Sequence, residues 1–298
     1  MTATSAMADT IETTASPARR RGRTGTVRIV GSLAVVAFYA LCAAFGPMLF
    51  RFDPVAVDTR NRLLAPMSHT SEGHLVLFGT DQIGQDLLAK MMQGARVSMT
   101  IGISALLLSG LIGLIFGILA GYFGGWLDSI LMRLADIQLA FPGILLAILI
   151  AAVLGPSVGN VIVVLSISGW VTFARVTRGQ ALATKNREYV DATRVLGART
   201  WHIVRTCVLP SCRAPFLVIA ALHIGDVILA EASLSFLGLG TPATTPSWGT
   251  TIASGRDLLS TAWWISAIPG IALALLVVAF GVLGDALRDR YDPKLAER

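Results

Sequence analysis

Two carboxylates, Asp226 and Glu231, stand five residues apart in an otherwise apolar stretch. A charge held in a hydrocarbon layer costs about 2.5–3.5 kcal/mol, so such a group meets a cavity or a partner. Five helical positions point the two side chains at different faces, so they are not a ready pair for shared acid–base work. Asp226 can receive a cation crossing the layer, or it can hydrogen-bond His223 or a neighbouring subunit. Glu231 lies nearer the outer end of the stretch and suits support of an external gate. Both are candidates for lining a pathway. Other chemistry is poorly served. His69, His74, His202 and His223 form no ligand cluster. Cys42, Cys207 and Cys212 are odd in number and make no Cys-x-x-Cys, which fits neither a disulfide frame nor a zinc site. Lys90, Lys185 and Lys294 are the only lysines, and none follows a glycine, so no Gly-x-x-x-x-Gly-Lys phosphate loop exists. No His-Glu-x-x-His or Gly-x-Ser-x-Gly supports an intramembrane hydrolase. Asp81 and Asp86 sit in a Gly-rich turn without EF-hand spacing, and with Thr80 they read better as caps. Asp86 is placed to open a short helix over 87–94, near the membrane interface.

The richest polar stretch is 184–210, TKNREYVDATRVLGARTWHIVRTCVLP. Tyr189, Thr193 and Leu196 share a helical face, while Arg187, Asp191 and Arg194 point elsewhere. Glu188 and Asp191 fall in the first turn, where the helix dipole favours them. Gly197 permits a left-handed stop. Trp201, Val204 and Val208 begin a second amphipathic pattern, which Pro210 is expected to end. A short helix, a glycine corner and a second helix therefore project between two apolar stretches. Such a unit suits insertion into a partner's groove, or it can lie flat on lipid.

These segments need a scaffold, and the composition says which. Only 14% of the 298 residues are charged and 54% are hydrophobic, so the chain cannot clothe a soluble surface. It reads as an all-α integral membrane protein. Six apolar stretches can each cross a slab about 30 Å thick: 27–50, 99–121, 130–154, 159–176, 215–236 and 263–284. Pro142 and Pro269 lie within spans three and six, and neither is expected to end its span. An even count puts both termini on one side, which receives 18 of the 24 Lys and Arg residues, so that side is cytoplasmic. The organisation is a basic disordered tail over 1–26, a retained anchor over 27–50, and an external loop over 51–95. A core over 96–284 holds five spans and the loop 184–210, and a cytoplasmic tail follows over 285–298. Five arginines at or before the first span suit anionic lipid heads or simple topology signalling. In span two, Gly113, Gly117 and Gly121 recur every fourth residue, a stripe that admits close approach of another helix. Asp128 and Asp136 flank Arg133 on span three, the pattern of a local ion-pair cluster. No internal repeat is visible.

The stretch 184–210 resembles the EAA loop of permease subunits of bacterial ATP-driven importers. Asp191 stands for its acid, Ala192 matches, Thr193 takes the next alanine, Gly197 matches, and Leu209-Pro210 close it. The two departures keep the charge and roughly the size. Nearly the whole chain after the tail is similar to the dipeptide/oligopeptide/nickel permease family, specifically its C-type subunit. The supporting blocks are Gly79-Thr80-Asp81 with Gly94-Ala95-Arg96, Gly121-Tyr122-Phe123-Gly124-Gly125-Trp126, Ala140-Phe141-Pro142-Gly143, Glu231-Ala232-Ser233-Leu234-Ser235-Phe236-Leu237-Gly238-Leu239-Gly240, Pro246-Ser247-Trp248-Gly249, and Gly284-Asp285-Ala286-Leu287-Arg288-Asp289 with Asp292-Pro293. Gln85 stands where relatives often carry Arg, and Gly281 where Asn is usual. The resemblance implies the type I importer permease fold in a bacterial inner membrane. It implies a second, B-type permease, two ATP-binding cassette subunits or domains that use ATP and Mg, and an extracytoplasmic substrate-binding protein. No cofactor and no nucleic acid is expected on this chain. Within that frame Asp191 pairs with a basic residue of the ATPase, Leu196 fills its groove, and Gly197 makes the corner. Asp226 is then placed to meet a peptide's amino terminus. Di- and oligopeptides are the expected cargo, with nickel chelates, haem or another small solute as alternatives. An ion-driven secondary transporter using Asp226 and Glu231 as relay groups is the rival class.

Overall fold

The computed structural model describes residues 24–49 and 54–291. The tail expected over 1–26 lies outside the described residues except for its last three, as do residues 292–298 of the second tail. Among the described residues ten α-helices follow one another: α1 (Thr24–Leu49), α2 (Leu87–Ile118), α3 (Gly125–Leu139), α4 (Gly143–Leu154), α5 (Val158–Lys185), α6 (Glu188–Val195), α7 (Thr200–Ile203), α8 (Leu209–Phe236), α9 (Trp248–Gly255) and α10 (Trp264–Tyr291). Before α2 come a 3-10 turn (Thr59–Asn61) and a small antiparallel hairpin of β1 (Ser68–His69) and β2 (Leu75–Val76). Among the described residues, five helices are long and apolar enough to cross a membrane, or six if the pair α3 and α4 counts as one span. The molecule thus has two ends. The loop end carries 54–86, α9 and the other turns between outgoing and returning spans. The terminal end carries the start of α1, the close of α10 and the segment around α6.

The spans differ from the expected ones at several points, among them α5, which runs to Lys185 rather than ending at 176. Span two begins twelve residues early. The Asp86 carboxylate caps Ala89 N–H at 3.0 Å, and the helix it opens runs unbroken into the span through a π turn to Phe123, rather than lying at the interface. Span three is not continuous. It breaks at residues 140–142 and turns by 89° between α3 and α4. Pro142 lacks the N–H that the helix ladder needs, and it stands at the cap of α4 rather than inside a coil. Pro210, conversely, does not stop its helix. A π turn over Val204–Val208 widens the coil just where the proline ring would strike the carbonyl four residues back, so Thr200–Phe236 is one continuous helix of 37 residues. Finally, α10 continues to Tyr291, inside the stretch expected as tail.

The glycine stripe packs as expected. A Cβ at Gly113, Gly117 or Gly121 would stand 2.6–2.7 Å from the carbonyl oxygens of Trp170, Ala174 or Arg178, so the α2 and α5 backbones touch along that row. The main core joins α2, α8, α9 and α10 through Leu87, Met91, Ile228, Trp248, Ile265 and Leu276. α1 leans on this core from outside, with Tyr39 edge-on to the Trp248 ring.

Candidate functional site

The segment after α5 is held at one point and open elsewhere. Val190 is fully buried against Tyr122, Ala181, Ile203, Val204 and Val208, and this single apolar foot fixes α6 to the bundle. The face of Tyr189, Thr193 and Leu196 read from sequence missed it, although Val190 and Val195 are the branched aliphatic side chains of α6. Beyond the foot, Gly197 adopts φ +83°. Its N–H donates to the Arg194 carbonyl at 3.0 Å, and the Ala198 N–H donates to the Thr193 carbonyl at 3.3 Å. That pair of bonds satisfies the last carbonyls and makes the corner rigid. The corner displays Val195 and Leu196, each 87% exposed. Asp191 accepts from Arg194 Nη1 at 2.6 Å, an exposed pair that can exchange Arg194 for a cation on another chain at little cost. Ala192 is exposed beside it, and the Thr193 hydroxyl donates to the Tyr189 carbonyl at 2.7 Å. Leu209 and Pro210 begin α8, where Thr184 and Ser211 hydroxyls meet at 2.8 Å and tie the end of α5 to it.

Next to this segment, α3 is attached to α5 by polar bonds rather than apolar area; Ala135 is its one buried residue. Arg178 grips Asp128 with two donors, one at 2.7 Å, and Arg175 reaches Asp136 at 2.6 Å. The Gln138 amide donates to the carbonyls of Ile167 and Ser168 and accepts from Trp170 Nε1 at 2.7 Å. The expected cluster of Asp128, Arg133 and Asp136 is therefore corrected. Both acids turn to the antiparallel neighbour, whose register sequence spacing does not reveal.

The structure separates the two intramembrane carboxylates. Glu231 is fully buried and accepts from the Ser98 hydroxyl at 2.8 Å and the Ser235 hydroxyl at 2.7 Å. It binds α2 to α8 and presents no surface to a pathway within this chain. Asp226 is the opposite case: its side chain is 78% exposed, with His223 Nδ1 at 3.6 Å. The seryl donors of Glu231 were not foreseen, since Ser98 lies 133 residues away.

At the loop end, Asp81, Gln85 and Lys90 are buried and matched, while the buried Thr241 hydroxyl finds no partner among the described residues. Asp81 Oδ2 meets Lys90 Nζ at 2.8 Å, with both side chains nearly inaccessible. Lys90 also donates to Gln85 Oε1 at 2.9 Å, and Asp81 Oδ1 accepts the N–H groups of Ile83 and Gln85. Trp264 and Trp248 donate their indole N–H to the carbonyls of Thr80 and Met91. The turn of Asp81 and Asp86 is thus a plug locked to α2, with Asp81 spent on a lysine.

Residues 113–297 match the family described as binding-protein-dependent transport system inner membrane component. The chain is 41% identical to the di/tripeptide transport system permease protein DppC of Pseudomonas aeruginosa over 267 residues, which cover 89% of this chain and 88% of that one. It is 40% identical to the dipeptide transport system permease protein DppC of Bacillus subtilis, covering 89% and 82%. To the probable D,D-dipeptide transport system permease protein DdpC of Escherichia coli it is 37% identical, covering 91% and 89%. Among solved structures, the inward-facing MetNI methionine ABC transporter shares the fold, with a TM-score of 0.55 and 18% identity over 67% of this chain and 95% of that one.

Proposed function

Because the chain belongs to the family of binding-protein-dependent transport system inner membrane components, and is a multi-pass permease subunit of an ATP-binding cassette importer, we propose that it carries di- or oligopeptides inward. The names of three relatives, each a peptide or dipeptide permease, support that cargo. The path forms between this subunit and a second, B-type permease. An extracytoplasmic binding protein delivers the peptide at the loop end, and two ATPase subunits or domains act at the terminal end, which is cytoplasmic. ATP and Mg belong to those ATPases; this chain supplies motion, not hydrolysis.

The observation that carries the coupling role is the corner at Gly197. Its exposed tip, Val195 and Leu196, joins a single helix that runs from Thr200 to Phe236. A groove on the ATPase accepts Leu196, and a basic residue there replaces Arg194 on Asp191. Ala192 and Thr193 keep the helix slim, Gly197 makes the turn, and Leu209 and Pro210 root the segment in α8. Closing of the ATPases on ATP then moves α6 and α8 as one body and switches access to the path. In the reconstituted complex, peptide-loaded binding protein stimulates ATP hydrolysis. Asp191→Arg is expected to abolish most of that stimulation while the two permeases and the ATPases still co-purify. Unchanged stimulation removes the coupling assignment.

A further inference from the structure

Asp226 is about 20 Å along α8 from Arg213 and about 15 Å from Phe236, at 1.5 Å per residue, which puts it near mid-membrane. Among the described residues it is the carboxylate at that depth that is exposed and has no Arg or Lys beside it. Facing lipid is costly for such a group. Its one close polar neighbour, His223, is largely buried. The His223 ring lies edge-on to Phe173, and a Cβ on Gly169 would come within 3.0 Å of Nε2. Nε2 has no hydrogen-bond partner among the described residues. A proton on Nε2 would find no acceptor, so the neutral ring keeps its proton on Nδ1, turned toward Asp226. The Asp226 carboxylate thus has the His223 ring behind it at 3.6 Å and is open in front. Glu231, one and a half turns along, cannot compete because its oxygens are already taken by Ser98 and Ser235.

We propose that Asp226, oriented by His223, is a stepping site in the translocation path for the ammonium group at the amino terminus of the transported peptide. This rests on the peptide reading given above and deepens it. An ammonium is the one cation that every unmodified peptide brings, whatever its side chains, so a single exposed carboxylate recognises the class without reading sequence. The contact is charge-assisted, yet Asp226 is mostly open, so release remains fast enough for passage.

The test uses the full complex in sealed liposomes with alanyl-alanine as the probe. Asp226→Asn is expected to lower uptake about 10- to 100-fold, the worth of a charge-assisted hydrogen bond, and Asp226→Glu to restore most of it. His223→Ala, a positioning change, raises the KM and leaves the maximal rate nearly intact; a fall in maximal rate alone refutes that role. In a complex with its other cysteines replaced, Asp226→Cys is expected to react with a water-soluble cationic thiol reagent. Wild-type uptake rates in Asp226→Asn overturn the proposal. So does an unreactive Asp226→Cys, or loss of the second permease from Asp226→Asn preparations, either of which makes the position a subunit contact. Failure of the wild type to take up alanyl-alanine counts instead against the peptide reading, and the labelling still reads whether the position faces water.

Discussion

The two ends of the bundle treat their polar groups in opposite ways. At the loop end, Asp81, Lys90, Gln85 and Thr80 are buried and hydrogen-bonded within the chain, and Trp248 and Trp264 anchor the turns to α2 and α10. At the terminal end, Asp191 pairs at the surface, Leu196 and Val195 stand in the open, and a single buried valine holds α6. The buried Asp81, Lys90 and Gln85 of the loop end find their partners within the chain, whereas α6 keeps most of its polar and apolar side chains in the open and buries Val190.

Three measurements can break or sharpen this contrast. The largest effect belongs to Lys90→Met, which strands the buried Asp81 carboxylate. It should cost about 3–5 kcal/mol, read as a lower thermal midpoint of the purified complex, and Asp81→Asn with Lys90→Met should recover part of it. An intermediate effect is expected for Arg178→Met at the α3–α5 contact. The pair is partly open to solvent, so the loss should be about 1 kcal/mol or less, and in detergent it should shrink with added salt. The smallest effect on stability belongs to Trp201→Ala, whose indole is 72% exposed. It should stay within about 0.5 kcal/mol of wild type. A large loss there would mean that the terminal end is as self-contained as the loop end.

What could be read from sequence depended on how local the cause was. The glycine stripe, the Asp86 cap and the left-handed Gly197 are set by residues within a turn or two, and each stands where its spacing put it. The two prolines were misjudged for the opposite reason. Whether Pro142 breaks a span or Pro210 passes within one depends on the coil around it, and a π turn leaves no clear mark in residue types. The same holds for charges. Asp128 and Asp136 look paired with Arg133 until α5 brings Arg178 and Arg175 alongside. That Asp226 and Glu231 point apart follows from their spacing. Which of them is covered follows only from the placement of Ser98 and Ser235, far away and nearby in the chain.

The unbroken coil from Thr200 to Phe236 has a geometrical consequence. Asp226 lies roughly 40 Å from its lower tip at 1.5 Å per residue, so a swing of only about 5° carries that carboxylate sideways by about 3 Å. A small tilt about the corner is thus magnified along the coil before it reaches the middle of the bundle.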